Sequence, residues 1–184
     1  TEIYTLSLHD ALPILEKGAR KLFRLAPGSP PVSADLPRMT ATHLLPHPGG
    51  AVLVGLKEVV RLSFDGPGWE LAAVRSHEPP TPETDYYQGM AADLDGDGCR
   101  DLVVLDAKIR GAHVLVAGEK SLRLALVFPV FEQPSDQRGG REPRAMAAGD
   151  MTGDGWEDLV LLCHDRVLLY AQEGPAGESD KKED

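Results

Sequence analysis

The chain has 184 residues, 42% of them hydrophobic and 26% charged, with a formal net charge of -10 at pH 7 and a sequence pI of about 5.0. This is enough for one domain with a real core, at ~100 to 200 residues per domain, and the balance is that of a folded chain rather than a disordered or membrane-embedded one. No basic patch is present to follow a phosphate backbone, which argues against nucleic acid as a partner, and no apolar run approaches the ~20 residues that cross a bilayer as a helix.

Gly 19 and Pro 15 are high counts, and both residues punctuate turns, so many short elements and few long helices are expected. Cys99 and Cys163 lie far apart without CxxC spacing, which excludes a disulfide scaffold and leaves the redox compartment open. In chain order, residues 1–14 (TEIYTLSLHDALPI) resemble one reading frame of a short-read sequencing adapter and are set aside as a fusion scar would be. Without Glu2 and Asp10 the formal charge moves from -10 to -8, still acidic. On this expectation the natural N-terminus and any signal peptide lie upstream.

Residues 15–39 are predicted to hold the remnant of an early repeat, a strand over 21–25, followed by a proline-rich connection over 27–37. Residues 40–85 show strand patterns over 51–56, 59–64 and 69–74, with turns at Pro48-Gly49-Gly50 and Asp65-Gly66-Pro67-Gly68, but no aspartate loop. This is a degenerate copy of the two repeats C-terminal to it.

Residues 86–142 and 143–172 are the clear copies. DLDGDGCRDL begins at Asp93 and DMTGDGWEDL at Asp150, 57 positions later. Each is preceded by a small-residue strand, Gly89, Met90, Ala91 and Ala92 in one and Ala145, Met146, Ala147 and Ala148 in the other. The apolar runs after the loops, 102–105 and 159–162, fit strands buried on both faces. Further strands over 113–117 and 167–170, with 122–128 closing the first copy, make the unit a four-stranded meander. The last copy stops after its third strand at residues 170–172, and residues 173–184 are a charged tail expected to be disordered. A four-stranded repeat of ~50 residues marks a propeller blade. The expected fold is therefore all-β, a β-propeller fragment of about three four-stranded blades in an incomplete ring, since closed rings have about 4 to 8. A segment from upstream could supply the last blade's fourth strand.

The aspartate loops carry the chemistry. Ca²⁺ takes roughly six to eight oxygen ligands at about 2.3 to 2.6 Å, which requires a tight loop that gathers carboxylates. In the first loop Asp93, Asp95 and Asp97 stand at positions 1, 3 and 5, the carbonyl of Cys99 at 7 and Asp101 at 9, with Gly96 and Gly98 free to make the turn. Carboxylates this close repel one another unless a cation neutralises them. The second loop offers Asp150, Asp154 and Asp158 with the carbonyl of Trp156, but Thr152 replaces the position-3 aspartate, so weaker calcium binding is expected there. An EF-hand needs a glutamate at position 12 and flanking helices, whereas position 12 is Val104 inside a strand pattern. The remaining alternative is a pair of glycine-rich hairpin turns that bind nothing.

GMAADLDGDGCRDLVVLD and AMAAGDMTGDGWEDLVLLC resemble FG-GAP (VCBS-type) repeats, the calcium-binding blades of integrin α-subunit propellers and many bacterial secreted proteins. The resemblance covers residues 86–170 well and 40–74 weakly. It implies a β-propeller with Ca²⁺ held between a blade's first and second strands by Asp93, Asp95, Asp97, Cys99 and Asp101, and by Asp150, Thr152, Asp154, Trp156 and Asp158.

Other constellations carry less. His43 and His47 have Pro46 between them and no third ligand nearby, and read as surface residues; His113 and His164 read as packed or edge residues. Tyr86, Tyr87 and Trp69 read as strand packing rather than a ligand surface, and the Trp156 ring is expected to cover its loop. No GxSxG, GxxxxGK[ST], HExxH or Cys-His signature occurs. Two functions remain: a non-catalytic extracellular or periplasmic module that binds a protein or glycan with calcium as structural cofactor, or the end of a propeller enzyme acting on polysaccharides whose catalytic residues lie upstream. The concentrated chemistry is metal coordination, which favours the first.

Overall fold

A computed structural model of the chain describes residues 12–16, 21–25, 30–35, 39, 41–47, 50–66, 70–117, 121–130 and 141–174. Among these, every regular element is a strand, and none is a helix long and apolar enough to cross a membrane. The first sheet holds β1 (Leu12–Glu16), β2 (Lys21–Leu25) and β3 (Val32–Asp35); the second holds β4 (Ala41–His47), β5 (Gly50–Gly55), β6 (Val59–Asp65) and β7 (Glu70–His77). In the third are β8 (Tyr86–Ala92), β9 (Asp101–Asp106), β10 (Gly111–Ala117) and β11 (Leu122–Pro129), and in the fourth β12 (Ala145–Gly149), β13 (Asp158–Leu162) and β14 (Val167–Tyr170). Every pairing is antiparallel and joins chain neighbours, so each sheet is a meander.

The strands' period of two decides how these sheets associate. In β5, Ala51 and Leu53 pack with Leu22, Leu62 and Phe64 on one side, while Val52 and Val54 pack with Tyr86, Leu102 and Val104 on the other. β9 divides in the same way: Leu102 and Val104 face the second sheet, Val103 and Leu105 face Leu159 and Leu161 of the fourth. A sheet with two apolar faces must be covered on both, so the cores lie between sheets. The first strand of each later sheet takes the inner place, with β8 against both β4 and β12, while the outer strands β7 and β11 also meet. This is the arrangement of propeller blades, and the structure is an all-β, incomplete β-propeller. The far face of the fourth sheet is uncovered among the described residues, with Leu162 44%, Val167 63% and Leu169 51% exposed.

Inner strands crowd together where their residues are small. A Cβ on Gly89 would come within 2.7 Å of Val54 Cγ2 and 3.0 Å of Leu45 Cδ1 from the second sheet. The small-residue strand read in the sequence is thus the surface that lets blades approach.

Polar side chains are buried together in the third sheet. Asp106, fully buried, accepts from the amides of Asp85 at 3.1 Å and Lys108 at 2.8 Å, tying the segment before β8 to the turn after β9. Its other oxygen lies 3.4 Å from His113 Nε2, and each of these two atoms has no other partner. A carboxylate only accepts, so Nε2 faces it with its proton, and Nδ1 shares a 2.9 Å hydrogen bond with the Tyr86 hydroxyl. Burial alone would raise the Asp106 carboxyl, but His113 and the two amides outweigh it and hold the group below the usual carboxylate range.

Three strand placements in the structure go beyond the sequence pattern. Residues 27–37 are not only a connection, because β3 lies within them. Residues 12–14, set aside with the adapter-like segment, pair with β2, Pro13 opposite Arg24 and Ile14 opposite Phe23. The second sheet gains a strand the pattern did not reveal, β4. Residues 1–11 and 175–184, Trp69 and the Pro48-Gly49 turn lie outside the described residues.

Replacing Gly89 with valine should lower stability by about 1–3 kcal/mol, the usual cost of overpacking, read as a shift of the urea midpoint at unchanged slope. Tyr86→Phe leaves His113 Nδ1 buried without its hydroxyl partner and should cost about 1–3 kcal/mol in the same measurement.

Candidate metal centre

The first aspartate loop leaves β8 at buried Ala92 and re-enters the sheet at Asp101, the first residue of β9. Gly96 and Gly98 have φ of 71° and 82°, a region open to glycine at little cost, and this turns their amides back on Asp93. Gly96 N donates to Asp93 Oδ1 at 2.8 Å and Gly98 N to Oδ2 at 3.0 Å. Asp95 accepts from Asp97 N at 3.3 Å, and Asp97 accepts from Cys99 N at 2.7 Å. Each side chain is thereby fixed by its own loop's backbone, as Asx turns do.

These bonds bring ligand oxygens of Asp93, Asp95 and Asp97 within 4.8 Å of one another. Asp101 stands behind them, 5% exposed and hydrogen-bonded to the Leu94 backbone. Burial first, then Asp95, Asp97 and Asp93, push its carboxyl up to about 6. The Cys99 side chain is exposed, and its thiol is raised by Asp97. Three or four hard carboxylate oxygens with no nitrogen or thiolate among them are a donor set for an oxygen-seeking cation such as Ca²⁺. The residues present fit that ion.

The second loop repeats the backbone but not the cluster. Asp150 accepts from Gly153 N at 2.6 Å, Asp154 N at 3.1 Å and Gly155 N at 2.9 Å, and Asp154 accepts from Trp156 N at 2.9 Å. Asp158 is fully buried: Gln172 N, Met151 N and Thr152 N donate to it at 2.8, 2.8 and 3.0 Å. These bonds, Gln172 foremost, hold its carboxyl below the usual range. Among the described residues, the only acidic or metal-ligating group of three that converges is the one in the first loop. Thr152 stands where a further carboxylate would be needed.

Contacts between the loops were not read from the sequence. Glu157 Oε2 accepts from Asp93 N at 2.9 Å, and Glu157 Oε1 lies 3.4 Å from Arg100 Nη2, while Arg100 Nη1 donates to Ala91 O at 2.8 Å. The Trp156 ring covers Gly96 of the first loop rather than its own: a Cβ there would fall 1.6 Å from Trp156 Cζ3. A signal was available. Where the copies align, Cys99-Arg100 in one stands against Trp156-Glu157 in the other, opposite charges at the same place in adjacent repeats.

His43, His113 and His164 are apart from this centre. His43 Nδ1 lies 3.1 Å from Thr42 Oγ1, His113 belongs to the buried network, and His164 lies 3.6 Å from Glu142. Tyr86 and Tyr87 are buried in the cores on either side of β8.

Fold and loops together define a class: an incomplete β-propeller bearing a cluster of three aspartates in the loop between the first and second strands of a blade. No protein-family model matches the chain, and no curated protein matches it.

Because the folded-state value of Asp101 is raised, the folded protein holds this proton to higher pH than the unfolded chain, and that contribution to stability is present below 3.8 and lost as pH rises through about 6. In chelator, stability should therefore fall across this interval, and Asp101→Asn should flatten the fall in denaturation curves taken at each pH.

Proposed function

We propose that the chain is a calcium-stabilised propeller module of the FG-GAP type, non-catalytic, whose blade surfaces engage a protein or glycan outside the cytoplasm. The observation that carries this is the convergence of Asp93, Asp95 and Asp97 in front of buried Asp101. Such a group is costly as bare charge and becomes favourable once a divalent ion shares its oxygens. Asp93, Asp95, Asp97 and Asp101 would hold the ion, with the Cys99 carbonyl contributing as the sequence pattern implies. Asp150, Thr152, Asp154, Trp156 and Asp158 make the second, weaker site. The ion's task is structural, closing the turn at the inner edge of a blade. Sites of extracellular type bind at roughly 10⁻⁴ to 10⁻³ M and fill where calcium is abundant, which favours a setting outside the cell or in a periplasm.

Calcium at about 100 times its dissociation constant should stabilise the protein by about 2.7 kcal/mol and raise its melting temperature by several degrees, and EDTA should reverse the shift. Asp97→Ala should abolish most of the effect, while Thr152→Asp should tighten the weaker site. Calorimetry that finds no calcium heat, or two equal sites, contradicts the proposal or the ranking respectively.

A further inference from the structure

We propose that the fourth sheet completes the metal centre of the third, with Trp156 and Glu157 as positioning residues that hold the Asp93 loop ready for its cation. The inference rests on calcium occupying that loop.

Glu157 grips the first loop at both ends. One carboxylate oxygen takes the amide of Asp93, the residue on which Gly96 and Gly98 are folded, and the other faces Arg100, just before the loop re-enters β9. Asp93's own carboxylate is turned inward by the glycine amides, so its backbone amide is left for an acceptor from outside the loop. Glu157, 30% exposed at its side chain, is that acceptor.

Trp156 fixes the middle of the same loop. Its ring is slotted between two glycines: a Cβ on Gly96 would fall 1.6 Å from Cζ3, and one on Gly174 would fall 2.5 Å from Nε1. Any larger residue at position 96 would displace the indole as well as strain a φ of 71°. Glycine is conformationally permissive, and a rigid ring packed on Gly96 limits the loop to conformations that can gather three carboxylates.

A metal loop pre-ordered by its neighbour binds with a smaller ordering cost, and coupling of this kind is reciprocal. Cation binding in the third sheet should then tighten the docking of the fourth. The backbone amide of Asp93 and the carboxylate of Glu157 make the link local, without any change in the ligands themselves.

The test uses the full chain in a Trp69→Phe background, where Trp156 is the only tryptophan. Calcium is titrated by calorimetry while tryptophan emission is followed. Glu157→Ala and Trp156→Ala should each weaken the tighter site about tenfold, the effect of losing one charge-assisted hydrogen bond or its equivalent. Glu157→Gln, which keeps an oxygen for the Asp93 amide, and Trp156→Phe, which keeps a ring over Gly96, should recover most of the affinity. With the second loop impaired by Asp154→Asn, filling the first should still change Trp156 emission. That measurement stands even if an alanine variant fails to fold. Calcium bound at the tighter site with unchanged affinity in the alanine variants, or with silent Trp156 emission, overturns the coupling. Absence of any calcium heat in the parent chain instead overturns the metal assignment.

Discussion

The structure depends on the burial of two-faced sheets. A meander whose central strand carries apolar side chains alternately up and down cannot bury both sets by itself, and β5 and β9 are of this kind. The second sheet must lie between the first and third, and the third between the second and fourth. From that requirement come the close approach at Gly89, the inner position of β4, β8 and β12, and the three separate cores. At about 25 cal/mol per Å² of apolar surface removed from water, these interfaces are the main source of stability, and each belongs to a pair of blades rather than to one.

The same stacking determines what the acidic loops meet. Successive inner strands lie side by side, so the turns beyond them are neighbours as well. Glu157 beside Arg100 and Trp156 beside Gly96 are consequences of that proximity. The loops use a shared backbone scheme, a leading aspartate that folds two positive-φ glycines around its carboxylate, but they differ in what remains free. The first leaves three carboxylates converging, whereas in the second Asp158 is engaged by three backbone amides and serves the fold.

Much of this was legible in the residues themselves. The valine and leucine runs at 102–105 and 159–162 are central strands, paired on both sides, with Val103, Leu105, Leu159 and Leu161 in one shared core. Asp93, Asp95 and Asp97 were legible as a cluster because alternate spacing between glycines leaves a loop few other shapes. β4 was not legible, since His43, Pro46 and His47 break its pattern; it is tolerated because β4 pairs only with β5, and a proline without an amide can sit in an edge strand. β3 was hidden for a similar reason, coming after Pro30 and Pro31 at the other edge of its sheet. Trp156 looked like a cover for its own loop, because a single repeat does not say which neighbour lies beside it. The Tyr86–His113–Asp106 network joins residues up to 27 positions apart, and nothing local marks them as partners.

The neighbour-to-neighbour connectivity of the sheets also bears on how the chain acquires its shape. Among the described residues every strand pairs with the strand just before or after it, so these pairings do not wait for a distant segment and their loop-closure entropy stays small. A blade's hydrogen bonds can form as soon as its own strands exist, but its second face gains cover only when the next blade arrives. The stability of a blade is thus shared with its neighbours, and among the described residues the far side of the fourth sheet, with Leu162, Val167 and Leu169, is the face left without one.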